Sequence, residues 1–290
     1  LTGLDAPAAF DVQLSSVEYL STHSLTISGV EKLAGGKALD TLTFASFASA
    51  RDLVITAVGK VDGFDITEAG FNGVFQNINS LIGSSALADA LMGLDAAANW
   101  LLDAGPLQYI STHTLDFTSL EILTGGSDTD TFSIFGRRAE SLAGGSGDDC
   151  FVFADGAVIT TAIRGDEGRD TLDYSGYLSA VTINLATGDL GGGVGSVSSI
   201  ENITGGFGDD MLTGDTGDNI LTGGPGADTL AGGPGDDTYR FAAGWGVDNP
   251  IVEYAGDGND TLDFSLLTTP LTFILGSLAV SDGFSSVMHT

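Results

Sequence analysis

Apolar residues recur at two spacings along this chain. Between Gly205 and Arg240 a large apolar side chain returns every ninth residue, at Leu212, Leu221, Leu230 and Tyr239. Elsewhere apolar and polar residues alternate over short runs, as in DLVITAVGK (52–60), VTINLATGD (181–189) and LTFILGSL (271–278). Alternation carried by β-branched side chains predicts strands with one buried face. The nine-residue spacing predicts strands of about three residues whose central side chain alone points inward. A helix competes only in SALADALMGLDAAANWLL (85–102). Its copy at 1–13 carries Pro7 opposite Ala97 and Gly3 opposite Gly93, so strands and turns are expected there too.

The ninth-residue period belongs to four tandem nonapeptides: GGFGDDMLT (205–213), GDTGDNILT (214–222), GGPGADTLA (223–231) and GGPGDDTYR (232–240). Each opens with Gly, has Gly at its fourth place, and has Asp or Asn at its sixth (Asp210, Asn219, Asp228, Asp237). Glycine permits the backbone angles of a tight turn. One such unit can bury nothing alone, whereas stacked units bury a continuous ladder of eighth-place side chains. Stacking also crowds the Asp residues at the turns, which is repulsive without a counter-ion. Carboxylates and turn carbonyls are hard oxygen ligands, and Ca²⁺ takes six to eight of them.

This pattern resembles the RTX (repeat-in-toxin, haemolysin-type) calcium-binding family, with consensus GGxGxDxUx. The resemblance implies that two nonapeptides make one coil of a parallel β-roll, with Ca²⁺ between turns two repeats apart. It pairs Asp210 with Asp228 along one edge and Asn219 with Asp237 along the other. The turn residues it assigns to the metal are Gly206, Gly208 and Asp210; Asp215, Gly217 and Asn219; Gly224, Gly226 and Asp228; and Gly233, Gly235 and Asp237. Asp215 and Asn219 depart from the consensus. Single units at 144–152, 165–173 and 255–263 add Asp149, Asp170 and Asp260, and are expected to form longer coils that cap or interrupt the roll.

A longer repeat organises the first half. Residues 1–44 return at 91–134 without a gap: LTGLDA as LMGLDA, Tyr19 as Tyr109, Ser21-Thr22-His23 as Ser111-Thr112-His113. VEKLAGGKALDTL (30–42) returns as LEILTGGSDTDTF (120–132) and, more weakly, as IENITGGFGDDML (200–212). The copies hold degenerate nonapeptides at Gly35 and Gly125. These keep Asp40 and Asp130 at the sixth place but have Ala38 and Asp128 at the fourth. They are expected to keep the coil and to have lost the ion. Glu31, Glu121 and Glu201 fall at the sixth place of the preceding nine. The expected fold is all-β, a right-handed parallel β-solenoid. Residues 1–140 form an irregular β-helix of about 90-residue modules and 141–290 an RTX-like β-roll with longer flanking coils. Both ends fall inside a repeat, so the sequence reads as a piece of a longer repetitive protein.

Composition narrows the function. Nine Lys and Arg stand against 39 Asp and Glu, for a formal net charge of −30. That excludes the basic footprint of a nucleic-acid binder and charge-driven binding to an anionic membrane. With 42% hydrophobic residues and a positive mean hydropathy, the chain is too apolar for acidic disorder. No run of 18 apolar residues predicts a membrane span, and no secretory signal is visible at the N-terminus. The single Cys150 excludes an intrachain disulfide framework. It falls at the outward seventh place, as a surface thiol or an interchain link. No HExxH, GxSxG, P-loop or Rossmann motif is present. His23 and His113 are equivalent repeat positions, read as structural, and His289 is distant in sequence from both. Arg164-Gly165-Asp166 spells an integrin-type tripeptide, but its Gly and Asp already belong to a nonapeptide. The chain is therefore expected not to be an enzyme. It reads as an extracellular, type I secreted, Ca²⁺-binding structural or adhesive segment of a bacterial surface, matrix or filament protein. Self-assembly or cell-surface and glycan contacts are its expected partners. The alternatives are a secretion and folding tail of a larger enzyme or toxin, and a β-helical polysaccharide-active enzyme.

Overall fold

The computed structural model describes residues 8–13, 16–20, 24–27, 32–71, 73–191, 195–252, 258–274, 279–281 and 286–289. All regular elements among the described residues are β-strands, so no helix there is long and apolar enough to cross a membrane. The segment where helix competed forms the strands Ala90–Met92 and Ala98–Leu102. Two compact units are distinguished: Leu1–Ser133 with Ala139–Gly147, and Ile134–Arg138 with Asp148–Thr290.

The first unit combines parallel stacks with antiparallel meanders. In one stack, Asp52–Val58, Ala90–Met92, Ile122–Thr124 and Ser141–Ser146 pair in parallel, and Leu53, Leu91, Leu123 and Leu142 line up as a buried column. In another, Leu42, Leu81 and Phe117 align across Asp40–Thr43, Ser80–Ile82 and Thr114–Thr118. Three-stranded antiparallel meanders depart from the purely parallel expectation. Ala98–Leu102 pairs with Leu107–Ile110, which pairs with Thr114–Thr118. Its sequence copy Ala8–Gln13, Ser16–Leu20 and Ser24–Ile27 does the same, as do Asp52–Val58, Phe64–Glu68 and Val74–Ile78. The connections 103–106 and 111–113 are hairpin-sized, whereas a parallel crossover needs a dozen or more residues. Trp100 anchors this core, stacked on Phe132 at 5.4 Å and meeting Tyr109 edge-on at 4.8 Å.

The second unit is more regular. Ile203 in Asn202–Thr204 pairs with Leu221 in Ile220–Thr222, which pairs with Tyr239 in Thr238–Arg240, always in parallel. Each step spans two nonapeptides. The intervening repeats form another parallel ladder, in which Leu212 of Met211–Thr213 pairs with Leu230 of Thr229–Ala231. Alternate nonapeptides thus enter alternate sheets. The isolated units join these ladders in register. Cys150–Phe153 and Thr171–Asp173 precede Asn202–Thr204, and Thr261–Asp263 follows Thr238–Arg240. In the other sheet Thr182–Asn184 precedes Met211–Thr213, and Ile251 pairs with Leu230. The inward residues Phe151, Leu172, Ile203, Leu221 and Tyr239, and likewise Ile183, Leu212, Leu230 and Ile251, are fully buried. Each such side chain contributes roughly 1.5–3 kcal/mol by leaving water, and none could do so without the coils beside it.

Candidate metal centre: columns of buried acidic side chains

Two residues before the inward side chains Phe151, Leu172, Leu212, Leu221, Leu230 and Tyr239 stands the sixth-place residue of the turn. Asp149, Asp170, Asp210, Asn219, Asp228 and Asp237 are all buried, although each belongs to a turn. The cause is a repeated pair of main-chain contacts. One carboxylate oxygen accepts the N–H of the sixth-place residue one coil earlier. Asp149 N–H donates to Asp170 Oδ1 at 2.7 Å, Asp170 N–H to Glu201 Oε2 at 2.8 Å, Asn219 N–H to Asp237 Oδ1 at 2.8 Å, and Asp237 N–H to Asp260 Oδ1 at 3.1 Å. Between Glu201 and Asn219 the Asn219 amide donates to the Glu201 carbonyl at 3.2 Å. These contacts make one column: Asp149, Asp170, Glu201, Asn219, Asp237, Asp260. Along the other edge Val181 N–H donates to Asp210 Oδ1 and Asp210 N–H to Asp228 Oδ1, both at 2.8 Å, and Asp228 N–H to Asp248 Oδ1 at 3.3 Å.

The second carboxylate oxygen distinguishes two kinds of turn. In one kind it, or at Asn219 the single amide oxygen, accepts the N–H of the second-place residue of its own repeat. Gly206 donates to Asp210 Oδ2 at 2.6 Å, and Asp215 donates to Asn219 Oδ1 at 2.8 Å. The degenerate turns of the first unit do the same, Gly36 to Asp40 Oδ2 at 2.6 Å and Gly126 to Asp130 Oδ2 at 2.8 Å. In the other kind the second-place residue is left-handed: Asp166 at φ 71°, Gly224 at 97° and Gly233 at 96°. Its N–H then makes no bond to the carboxylate. Asp170 Oδ2, Asp228 Oδ2 and Asp237 Oδ2 are buried with no hydrogen-bond partner.

The remaining predicted positions shape the turns. A Cβ on Gly224 would run into the Gly206 carbonyl, one on Gly226 into the Gly208 carbonyl, and one on Gly233 or Gly235 into the Asp215 or Gly217 carbonyl. Gly206 and Gly208 lie against the loop 174–180. Gly217 is exposed, and its N–H donates to Asp215 Oδ1 at 2.8 Å. Asp260, at the end of its column, is exposed. The fifth-place residues Asp148, Asp209, Asp218 and Asp236 form an outer series. Each accepts the N–H of the fifth-place residue one coil later, at 2.8–2.9 Å. The nonapeptide pattern does not single out that series, because its fifth place varies. Cys150 is half-buried, and burial pushes its thiol up to about 11. His113 meets Phe64 edge-on at 6.1 Å. His23 and Glu31 lie outside the described residues.

The electrostatics are one-sided. Burial raises Asp170 to about 7 and Asp237 to about 6, reinforced by neighbouring carboxylates. Asp210 is also raised, first by burial. The ion pair Arg240–Asp263, at 3.2 Å, lies outside the columns. Buried carboxylates of this kind need a proton or a cation. Among the described residues no three His, Cys, Asp or Glu side chains converge as a metal cage. A bound cation would therefore draw on turn carbonyls as well as the unpartnered oxygens. The carbonyls of Gly206, Gly208 and Gly217, which lie where only glycine fits opposite them, are hard oxygens of the kind Ca²⁺ takes. No curated protein sequence matches the chain. Residues 204–239, however, match the family model of the RTX calcium-binding nonapeptide repeat in four copies, and this stretch is an RTX repeat block.

Proposed function

We propose that this chain is an extracellular, calcium-binding structural or adhesive segment of a bacterial surface, matrix or filament protein, and that it folds on Ca²⁺ binding. In this reading residues 141–290 wind as a right-handed parallel β-roll and 1–140 as an irregular β-helix of repeated modules. Secretion, self-assembly and surface contact belong to the same reading, and the role is mechanical rather than catalytic. The observation that carries it is the run of buried sixth-place acidic side chains, in contact coil after coil and acted on chiefly by burial and one another's charge. A fold with that interior is poorly stable alone and well stabilised by a divalent cation.

The mechanism is linkage. Asp170, Asp228 and Asp237 would hold the ion together with turn carbonyls, and Ca²⁺ would supply the positive charge their burial calls for. Extracellular modules bind Ca²⁺ with Kd of roughly 10⁻⁴–10⁻³ M. At ten to a hundred times Kd, each site adds about 1.4–2.7 kcal/mol. At cytosolic calcium that contribution vanishes and carboxylate repulsion remains, so the chain stays export-competent inside and folds outside. Circular dichroism in EGTA, followed by added Ca²⁺, tests this. The expected result is a β signal that grows with Ca²⁺; a full β signal already present in EGTA would contradict it.

A further inference from the structure

The second unit has a break in its strand pairing. Val158–Ile159 pairs in parallel with Arg137–Arg138, and among the described residues these two strands form a sheet of their own. Thr182–Asn184 belongs to a different sheet, as the edge strand beside Met211–Thr213. At the peptide 157–158 the Val158 N–H donates to the Gly136 carbonyl at 2.7 Å. The Ala157 carbonyl points the opposite way, as a trans peptide requires, and accepts the hydroxyl of Tyr177 rather than a main-chain N–H. A side chain thus caps the edge where a further strand would have paired.

A cavity of about 290 Å³ lies in this break, with Ile159 on one wall and Val181 on another. Leu190 closes a third side. The glycines after it press on both strands: a Cβ on Gly191 would strike the Thr182 carbonyl, and one on Gly195 that of Ile159. The wall 177–181 is fixed by the first of the four nonapeptides. Phe207 N–H donates to the Tyr177 carbonyl and Val181 N–H to Asp210 Oδ1, both at 2.8 Å.

The lining is aromatic and its surroundings are acidic. Phe153 stacks on Tyr174 at 4.2 Å, and Tyr177 meets Tyr174 edge-on at 5.1 Å. Burial raises both phenols, so the rings stay neutral at ordinary pH. At Tyr177 the charge of Asp155 adds to that rise, and Asp155 Oδ1 is held by the Leu178 N–H at 3.0 Å. No lining residue is basic. An anion would therefore meet Asp155 and a chain of formal charge −30. A sugar would give up water around hydroxyls that this lining cannot replace, since the Tyr177 hydroxyl is already given to Ala157. A cation with an apolar body suits all three features: aliphatic walls, aromatic rings and an opposite charge.

We propose that the cavity between Val158–Ile159 and Thr182–Asn184 binds a small organic cation of the methylated-ammonium kind. Phe153, Tyr174 and Tyr177 supply the aromatic surface, and Asp155 the counter-charge. The site is distinct in chemistry from the calcium turns, because its lining offers rings and methyl groups rather than hard oxygens.

Isothermal titration calorimetry of the full chain with calcium present tests this, using choline and its neutral carbon isostere dimethylbutanol as probes. Choline should bind about tenfold more tightly than the alcohol or better. Asp155→Asn, which keeps an acceptor for the Leu178 N–H, should remove most of that difference. Leu190→Trp, which fills the cavity from its half-exposed side, should abolish binding of both probes and leave the melting temperature unchanged. Equal or tighter binding of the alcohol overturns the assignment of a cation. Binding of choline that survives Leu190→Trp, or no binding of either probe to the folded chain, overturns the site itself.

Discussion

A single backbone torsion separates the two kinds of acidic turn. At Gly206 and Asp215 the second-place N–H closes onto its own sixth-place side chain. At Gly224 and Gly233 the left-handed backbone leaves a buried carboxylate oxygen free. A side chain at Gly224 is therefore penalised twice, by a φ of 97° and by the Gly206 carbonyl in its path. Gly224→Ala should cost about 1–3 kcal/mol in thermal unfolding with calcium present. Gly217→Ala should be near neutral, since its φ is ordinary and the nearest atom to a new Cβ is Asp215 Oδ1 at 3.4 Å. The acidic groups also set a pH dependence. Burial raises the folded-state values of Asp237 to about 6 and Asp170 to about 7, above the ordinary value of about 4. The resulting stability is complete below the ordinary value and is lost as pH rises through 6 and 7. In a chelator, the melting temperature should fall between pH 5 and pH 8, and saturating calcium should flatten that fall. A melting temperature that rises over this range would show that the carboxylates are not held as described.

At the scale of the element, each strand of the block is too short to stand alone. Ile220–Thr222 presents one buried residue, Leu221, which pairs with Ile203 on one side and Tyr239 on the other. Leu221→Ala should cost about 2–5 kcal/mol, because coils fixed by main-chain bonds on both sides collapse little into the space. Thr222→Ala, on the outer half of the same strand, should change stability by less than about 1 kcal/mol in the same denaturant titration. This ladder is legible in the sequence because an apolar residue at every ninth place matches neither the helical period nor simple strand alternation. The acidic positions two residues earlier are legible through the same period. The meanders are not, because alternation at Ala98–Leu102 or Asp52–Val58 reads alike for parallel and antiparallel pairing. Asp248 escapes the pattern because its coil is longer by two residues than the regular step, twenty against eighteen. The torsional difference between Gly206 and Gly224 does not show in the GG pair itself; within the tandem block the left-handed second-place residues are those followed by Pro225 and Pro234, where the other repeats have Phe207 and Thr216.

For the whole molecule, the formal charge of −30 and the apolar ladders act against each other. Apolar burial favours the stacked coils, while the charge of the acidic columns opposes stacking unless a proton or a cation offsets it. Asp149, Asp170 and Asp260 belong to units that interrupt the tandem spacing, yet they stand in one column with Asn219 and Asp237. The regular block is thus the middle of a longer acidic edge. Magnesium, which demands a tighter octahedron and gives up its water reluctantly, should replace calcium poorly. The most direct test is the unfolding free energy of the chain measured in urea across a series of buffered free-calcium concentrations. Above Kd it should rise by about 1.4 kcal/mol per tenfold increase in calcium for each site, with the slope counting the sites. An unfolding free energy that does not move with calcium would contradict a fold held together through its acidic columns.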